Sequence, residues 1–294
     1  MLLSAVVLFS CRSTPQTLIV QGLVLIRSPE SSPLDTQYPN GLAVNIYDAD
    51  GHQLAVGVTD ENGRFSVELT GIKPGEELHF DTSVILEGIR TQQSVYAKAP
   101  IPPEGEWIIP AIAFLDHSKN KLFPSDAGWT DTEGKVLILD EAGQFSEVSA
   151  RAFDPELERA FFPGPFRNSE GTGLVSSAFL HIVAKDEAGM QVKALSSPIT
   201  IYFDVPYTHR YYLKDVIPGN GSYDVPMYLY DEETAIWVRR GTGVLVDEYK
   251  NPLPEEAERQ VRSDPHFGKV YVKFQADHLS VWNLDHELPP CSSK

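Results

Sequence analysis

The sequence predicts an all-β fold, arranged as two tandem antiparallel β-sandwich domains. Three observations lead there. A length of 294 residues, at about 100 to 200 residues per domain, gives two domains that can each bury a core. The chain holds 22 Pro, 21 Gly and 12 Tyr, and its apolar residues fall in short alternating or β-branched runs with turns between them, the pattern of hairpins. The turns themselves repeat as Asp-x-x-Gly at Asp48/Gly51, Asp60/Gly63, Asp131/Gly134, Asp140/Gly143 and Asp186/Gly189.

The elements follow in order. Residues 17–28 (TLIVQGLVLIRS) are apolar and β-branched, which suits a strand. A Pro/Ser segment leads to strands at residues 42–47, 53–58 and 64–69, then 78–86, 93–97 and 107–115. In the second half, strands are expected at 135–139, 145–153, 174–185, 191–195, 199–205, 223–230, 236–239, 243–246, 269–275 and 279–284. Two short helices are expected, at 154–160 with Pro155 in its first turn, and at 254–262.

The repeated turn has a mechanical cause. Asp at the first position accepts backbone N–H groups, and Gly at the fourth takes a positive φ. A calcium loop needs ligands at alternating positions over about twelve residues, which none of these runs supplies.

Residues 116–129 (DHSKNKLFPSDAGW) are polar and interrupt the strand rhythm, so they are read as a linker between a first domain, 17–115, and a second, 130–286. Residues 287–294 form a Pro/Ser tail, expected to be disordered. The 24 Lys+Arg against 41 Asp+Glu leave a net charge of −17. Residues 1–118 carry −8 and residues 119–294 carry −9, so the acidity belongs to no single tail or face. Nucleic acid and an anionic bilayer are excluded as electrostatic partners, since both need Lys/Arg clusters.

Met1 to Ser10 (MLLSAVVLFS) is apolar and uncharged, and at ten residues too short to span a bilayer as a helix. It reads as a secretion signal, with residues 1–16 comprising signal and short tether. Leu8-Phe9-Ser10-Cys11 resembles the lipobox of bacterial lipoproteins, which implies acylation of Cys11 and anchoring in the cell envelope, at the outer membrane or cell surface. The sequence departs from that pattern in having no Lys or Arg before the apolar run. The competing reading is a Cys11–Cys291 disulfide. With only two cysteines, a Cys-type zinc site and a C-x-x-C redox pair are both ruled out.

Residues 22–70 resemble the carboxypeptidase regulatory-like domain, a transthyretin-like (prealbumin-like) sandwich. The carriers are Gly22-Leu23-Val24, Gly41-Leu42-Ala43-Val44-Asn45-Ile46 and Thr59-Asp60-Glu61-Asn62-Gly63-Arg64-Phe65-Ser66-Val67. The resemblance implies a structural or adhesive module without catalytic residues, and an aromatic at Phe65 that faces the core. The second half is similar to the β-sandwich that follows such a domain in some bacterial surface lipoproteins and in cartilage intermediate layer protein. The matching residues are 225–232, Trp237 and 278–285.

No G-x-S-x-G, H-E-x-x-H, Walker A or Rossmann glycine pattern is present. Asp116-His117-Ser118 groups the residue types of a triad, but neighbouring side chains point apart. Asp277-His278 and Asp285-His286 flank a strand too long for the two pairs to share one ion. The expectation is therefore no catalytic, cofactor or metal residues. The leading functional reading is a non-enzymatic, lipid-anchored envelope protein that serves as an adhesive, scaffolding or partner-binding module. The alternative is carbohydrate capture, because ten aromatics crowd the second half (Tyr202, Phe203, Tyr207, Tyr211, Tyr212, Tyr223, Tyr228, Tyr230, Trp237 and Trp282). Tyr207, Tyr211 and Tyr212, in a loop bounded by prolines, are the expected sugar platform.

Overall fold

The computed structural model describes residues 17–28, 33–215, 224–254, 257, 260, 261, 264 and 267–288, and for 33, 211, 212, 214, 215 and 224 the backbone alone. Cys11, Tyr223 and Cys291 lie outside the described residues. Among the described residues, no helix is long and apolar enough to cross a membrane.

The molecule is nearly all β, as the turn-and-strand pattern predicts. In the first half, β1 (Thr17–Arg27) buries every second side chain, Leu18, Val20, Val24 and Ile26 among them. β1 pairs antiparallel with β4 (Arg64–Thr70). The facing sheet runs β3 (Gln53–Val58), β2 (Ala43–Tyr47), β5 (Glu77–Leu86), β6 (Ile89–Lys98). Between the two sheets lies a core of Leu18, Val20, Val44, Ile46, Phe65, Leu78 and Phe80.

Two departures from an all-antiparallel sandwich occur here. β7 (Gly105–Ile108) and β8 (Ile112–Leu115) both run parallel to β1. They can do so because the chain leaves β6 in one sheet and crosses to the other, which a hairpin does not permit. β7 and β8 are separated at Ile109 and Pro110, and Pro cannot donate to a ladder.

Phe65 sets the glycines around it. It is 3% exposed, and a Cβ at Gly22 would stand 2.4 Å from its ring, so β1 needs a glycine there. At Gly63 the φ is +69° and a Cβ would stand 2.3 Å from the Val24 carbonyl oxygen, so both conformation and space demand glycine.

All five Asp-x-x-Gly sequences form the expected turn. Gly51, Gly63, Gly134, Gly143 and Gly189 have positive φ, and each donates its N–H to the carbonyl of the Asp three residues earlier. Asp60 Oδ1 also accepts from the N–H groups of Asn62 at 2.8 Å and Arg64 at 2.9 Å. Asn168 and Asp247 build the same loop; at Asp247 the positive-φ position is Lys250 in place of glycine.

Among the described residues, the second half is one eleven-stranded sheet. Its order is β12 (Glu147–Phe153), β13 (Leu174–Lys185), β19 (Val281–Glu287), β16 (Asp224–Asp231), β17 (Ile236–Val246), β18 (Tyr271–His278), β15 (Ala194–Asp204), β11 (Val136–Leu139), β10 (Gly128–Thr130), β9 (Phe123–Ser125), with β14 (Gln191–Val192) beside β13. The sheet folds over a core that draws Ala178, Leu180 and Trp282 from one side and Ile138, Ile201, Phe203 and Phe274 from the other. A bridge between Lys121 and Ser149 joins the segment before β9 to β12, so the two ends of the sheet meet.

Residues 116–129, read as a linker, are built into this body. Asp116 caps a 3-10 turn, His117–Lys119, in which His117 is buried, and residues 123–125 and 128–130 are strands of the second sheet. Of the two expected helices, residues 154–160 form turns leading into a 3-10 helix, Arg159–Phe161. In the other, Ala257, Gln260 and Val261 are helical.

The two halves share a third core. Ala113 and Leu115 of β8, with Leu25 of β1, pack against Phe153, Phe161, Phe162, Phe179, Tyr228, Tyr230 and Trp237. Phe162 stacks on Phe166 with centroids 4.1 Å apart. Most of the aromatics that crowd the second half are thus interior. Tyr228, Tyr230 and Trp237 serve this junction, Phe203 and Trp282 the second core, and Tyr202 a small cluster with Tyr271 and Val246.

Candidate functional site

An open cleft of about 900 Å³ lies where β12 and β15 end, a volume usual for ligand sites. Its residues include Lys135, Arg151, Asp154, Glu158, Asp204, Tyr207, Arg210 and Lys269. Asp154, just past β12, ties the strand to the next wall of the cleft. Its Oδ1 accepts from the N–H groups of Glu156 at 2.9 Å and Leu157 at 3.1 Å, and meets His209 Nε2 at 2.7 Å. Its Oδ2 accepts from Thr208 Oγ1 at 2.9 Å. Burial alone would raise its pKa, and the donors at Leu157, Thr208 and His209 outweigh that and hold it below the usual carboxylate value.

Thr208 and His209 belong to a 3-10 helix, Tyr207–Asp215, that follows β15 directly. Arg210 of that helix is 4% exposed and reaches three carbonyl oxygens. It donates Nε to Val205 at 3.0 Å and Nη1 to Gly268 at 2.6 Å and to Phe267. Glu158 takes Arg151 Nη2 at 2.9 Å and the Asp154 N–H at 2.9 Å. Lys135 pairs with Glu133 at 2.5 Å, and Lys269 Nζ donates to the Glu133 carbonyl at 3.2 Å. The walls are held in place by these bonds.

Asp204, the last residue of β15, stands apart. It is half-buried, and its Oδ1 is out of solvent with no hydrogen-bond partner among the described residues. Burial raises its pKa, and the charges of Arg210, Lys269, Lys135 and Lys250 draw it back only in part.

Of the three tyrosines expected as a platform, Tyr207 is 57% exposed and lines this cleft. Tyr211 and Tyr212 continue the same 3-10 helix in their backbone, and their side chains lie outside what the structure describes. Sequence reasoning missed Asp154, Asp204 and Arg210. The signal available was weak: an alternating strand that ends in Asp204 just before Pro206, and a lone Arg between aromatics.

The other groupings resolve differently. Ser118 Oγ donates to Asp116 Oδ1 at 2.6 Å, while His117 Nε2 meets Thr91 Oγ1 at 3.2 Å inside the junction, so the three triad-type residues do not converge. His278 lines a polar cleft between the halves with Arg90, Lys193 and Glu232. Asp285 is 1% exposed and accepts from Asn283 Nδ2 at 2.6 Å. Its pKa is pushed well up by burial, against the hydrogen bonds from Ser176 and Asn283. Asp48, Asp50 and His52 could together face one cation. Asp48 Oδ1, however, already accepts two turn N–H groups, and its Oδ2 meets His52.

No family model and no curated protein matches the chain. Among solved structures, it is similar to a DUF3823 family protein from Parabacteroides merdae, at 8% identity over 94% of this chain and 83% of that one, TM-score 0.22. It is also similar to the shaft pilin spaA from Lactobacillus rhamnosus GG, at 12% identity over 65% and 88%, TM-score 0.21. At such TM-scores neither likeness carries an argument about this chain, and what identifies it is its own architecture: an all-β protein of a two-sheet sandwich and an eleven-stranded folded sheet joined by a shared aromatic core.

Proposed function

We propose that this chain is a non-enzymatic binding module of the bacterial cell envelope, anchored by acyl chains at Cys11 and acting as an adhesive, scaffolding or partner-binding protein. The observation that supports it is the shared core of Ala113, Leu115, Phe162, Tyr230 and Trp237, which joins the two halves into one body suited to holding a binding surface at a set orientation. Residues 17–115 are taken as a carboxypeptidase regulatory-like module on the residues that resemble it. Multiple acyl chains anchor firmly where one anchors marginally. Mass spectrometry of the protein extracted from membranes tests the anchor. Diacylglycerol on Cys11, with loss of membrane association in Cys11→Ala, is expected; an unmodified Cys11 overturns it.

A second reading, carbohydrate capture, is favoured by one observation. Tyr207 stands exposed at a cleft that also presents carboxylates, and an aromatic face with polar neighbours is suited to stacking a sugar ring.

A further inference from the structure

We propose that the cleft at the end of β15 binds an uncharged sugar, with Tyr207 as the stacking face and the Asp204 carboxyl as hydrogen-bond acceptor. This rests on the carbohydrate-capture reading and names its site and ligand class.

The first argument is the incomplete hydrogen bonding of Asp204. Buried polar atoms in folded proteins are nearly always paired, because an unpaired one loses its hydration for nothing in return. Asp204 Oδ1 has no hydrogen-bond partner among the described residues. Asp204 is half-buried and lines a cleft large enough for a ligand. Oδ1 itself is out of solvent, so a donor brought from outside would meet the carboxyl from the side that lines the cleft, offsetting the hydrogen bonding the group lacks.

The second argument is charge, which selects the class of donor. An ammonium would suit a lone carboxylate, but the charges of Arg210, Lys269, Lys135 and Lys250 all act on Asp204, and a cation entering here meets them. A carboxylated or sulfated sugar would suit those cations, but it meets Asp154, Glu158 and Asp204 along the same lining. The cations are moreover engaged: Arg151 with Glu158, Lys135 with Glu133, and Arg210 with three backbone carbonyls. A hydroxyl donates to a carboxylate without bringing charge of either sign. The walls then serve as fixed donors and acceptors for further hydroxyls, an arrangement that orients a polar ligand in a pocket.

The third argument is placement. Tyr207 opens the 3-10 helix whose next two residues, Thr208 and His209, are both tied to Asp154. The exposed ring is therefore carried on a backbone anchored to β12, so little freedom is lost when a ligand settles on it.

The test is titration of the full chain, by calorimetry and saturation-transfer NMR, with neutral oligosaccharides (cello-, xylo-, manno- and malto-series) beside oligogalacturonate and chitosan oligomers. At least one neutral series is expected to bind, with the charged oligomers weaker. Tyr207→Ala and Asp204→Ala are each expected to weaken it by about tenfold, a change of roughly 1.4 kcal/mol. Tyr249→Ala, an exposed tyrosine outside the cleft lining, is expected to leave binding unchanged. Melting curves check that every variant is folded, and Tyr207→Ala, which alters an exposed ring, keeps the test intact if Asp204→Ala fails. Binding of a charged oligomer in preference to every neutral one overturns the proposal. Neutral binding indifferent to Tyr207→Ala overturns the site and leaves the capture reading standing. An absence of binding to every sugar overturns both.

Discussion

The hydroxyl of Ser94, in β6 of the first half, is hydrogen-bonded to the phenol of Tyr230, in β16 of the second, with both side chains buried. Around that bond the halves are stitched further. The Gly164 N–H donates to the Ser94 carbonyl at 3.0 Å, the Arg167 guanidinium meets Glu77 at 2.5 Å, and the Tyr96 hydroxyl donates to the Ala235 carbonyl at 3.3 Å. A junction of this kind couples the folding of the two halves.

Wild-type protein is accordingly expected to unfold in a single calorimetric transition. Ser94→Ala leaves the Tyr230 hydroxyl buried without its partner and should cost about 1–3 kcal/mol. Trp237→Ala removes a fully buried ring that donates Nε1 to Pro163 at 3.1 Å, and should cost about 3–5 kcal/mol and separate the transitions. Two well-resolved transitions in the wild type would refute the coupling.

The repeated turns separate two costs of replacing glycine. Gly51 and Gly63 occupy the same position of the same turn with φ of +83° and +69°. A Cβ at Gly51 meets nothing within 4 Å, whereas one at Gly63 stands 2.3 Å from the Val24 oxygen. Gly51→Ala should cost about 1–2 kcal/mol, the left-handed conformation alone. Gly63→Ala should cost more than that and disturb the β1–β4 pairing, as urea midpoints will show. Equal losses would mean that the close approach to Val24 is relieved without effect.

The β5–β6 hairpin turns on Glu87-Gly88, with φ of 51° and 81°. Asn tolerates that conformation where Glu resists it, and Asn-Gly is the favoured pair in such two-residue turns. Glu87→Asn at this exposed site should raise stability by about 0.5–1 kcal/mol, read from the thermal midpoint. An unchanged or lowered midpoint would count against it.

His117 and His181 meet edge-on inside the junction, with centroids 5.0 Å apart. Burial lowers the pKa of His117 to about 4, aided by the charge of Lys185. Burial lowers that of His181 to about 3, aided by His117 and opposed by Glu232. Thr91 Oγ1 meets His117 Nε2 at 3.2 Å. Both folded values lie below the ordinary 6.5, so the unfolded chain binds more protons at mildly acid pH. The stability that the neutral rings contribute is whole above pH 6.5 and drains as pH falls toward 4, at up to about 1.4 kcal/mol per unit for each ring. Urea titrations should show that slope, and the double substitution His117→Gln, His181→Gln should flatten it. An equal slope in that variant would sink the assignment.

Asp285 has the opposite sign. Its folded pKa lies well above the unfolded value, so the protonated form is the one the fold accepts. Stability is whole below about pH 4 and declines as pH rises, because folding must then retain a proton that solvent draws away. Asp285→Asn keeps an acceptor for Asn283 and removes the titration. It should stabilise the protein at pH 7 and have little effect at pH 4, by thermal midpoint; a destabilised variant at pH 7 would show that the carboxyl is held ionised.

Much of the strand pattern is legible in the chain because it is local. Leu174–Lys185 reads as a strand and is one, to the residue, and each Asp-x-x-Gly forms its turn, since these depend on side-chain alternation and on a conformation that glycine reaches without strain. Less of the site is legible. Tyr207 stands out as an aromatic in a Pro-flanked loop, but Asp204, Asp154 and Arg210 do not, because each acquires its role from partners in other elements: the Asp154 carboxylate from His209, 55 residues on, and Arg210 from the carbonyls of Phe267 and Gly268.

By itself, then, the sequence determined an all-β chain in two halves with evenly spread acidity and a turn at each marked Asp. The tertiary structure alone decided that residues 116–129 are built into the second sheet, that β7 and β8 run parallel to β1, and that Tyr228, Tyr230 and Trp237 seal a junction. The reason is physical. A repeat of two along a strand tells which side chains share a face, but the face gains its meaning from whatever packs against it, and that surface is brought by chain a hundred residues away.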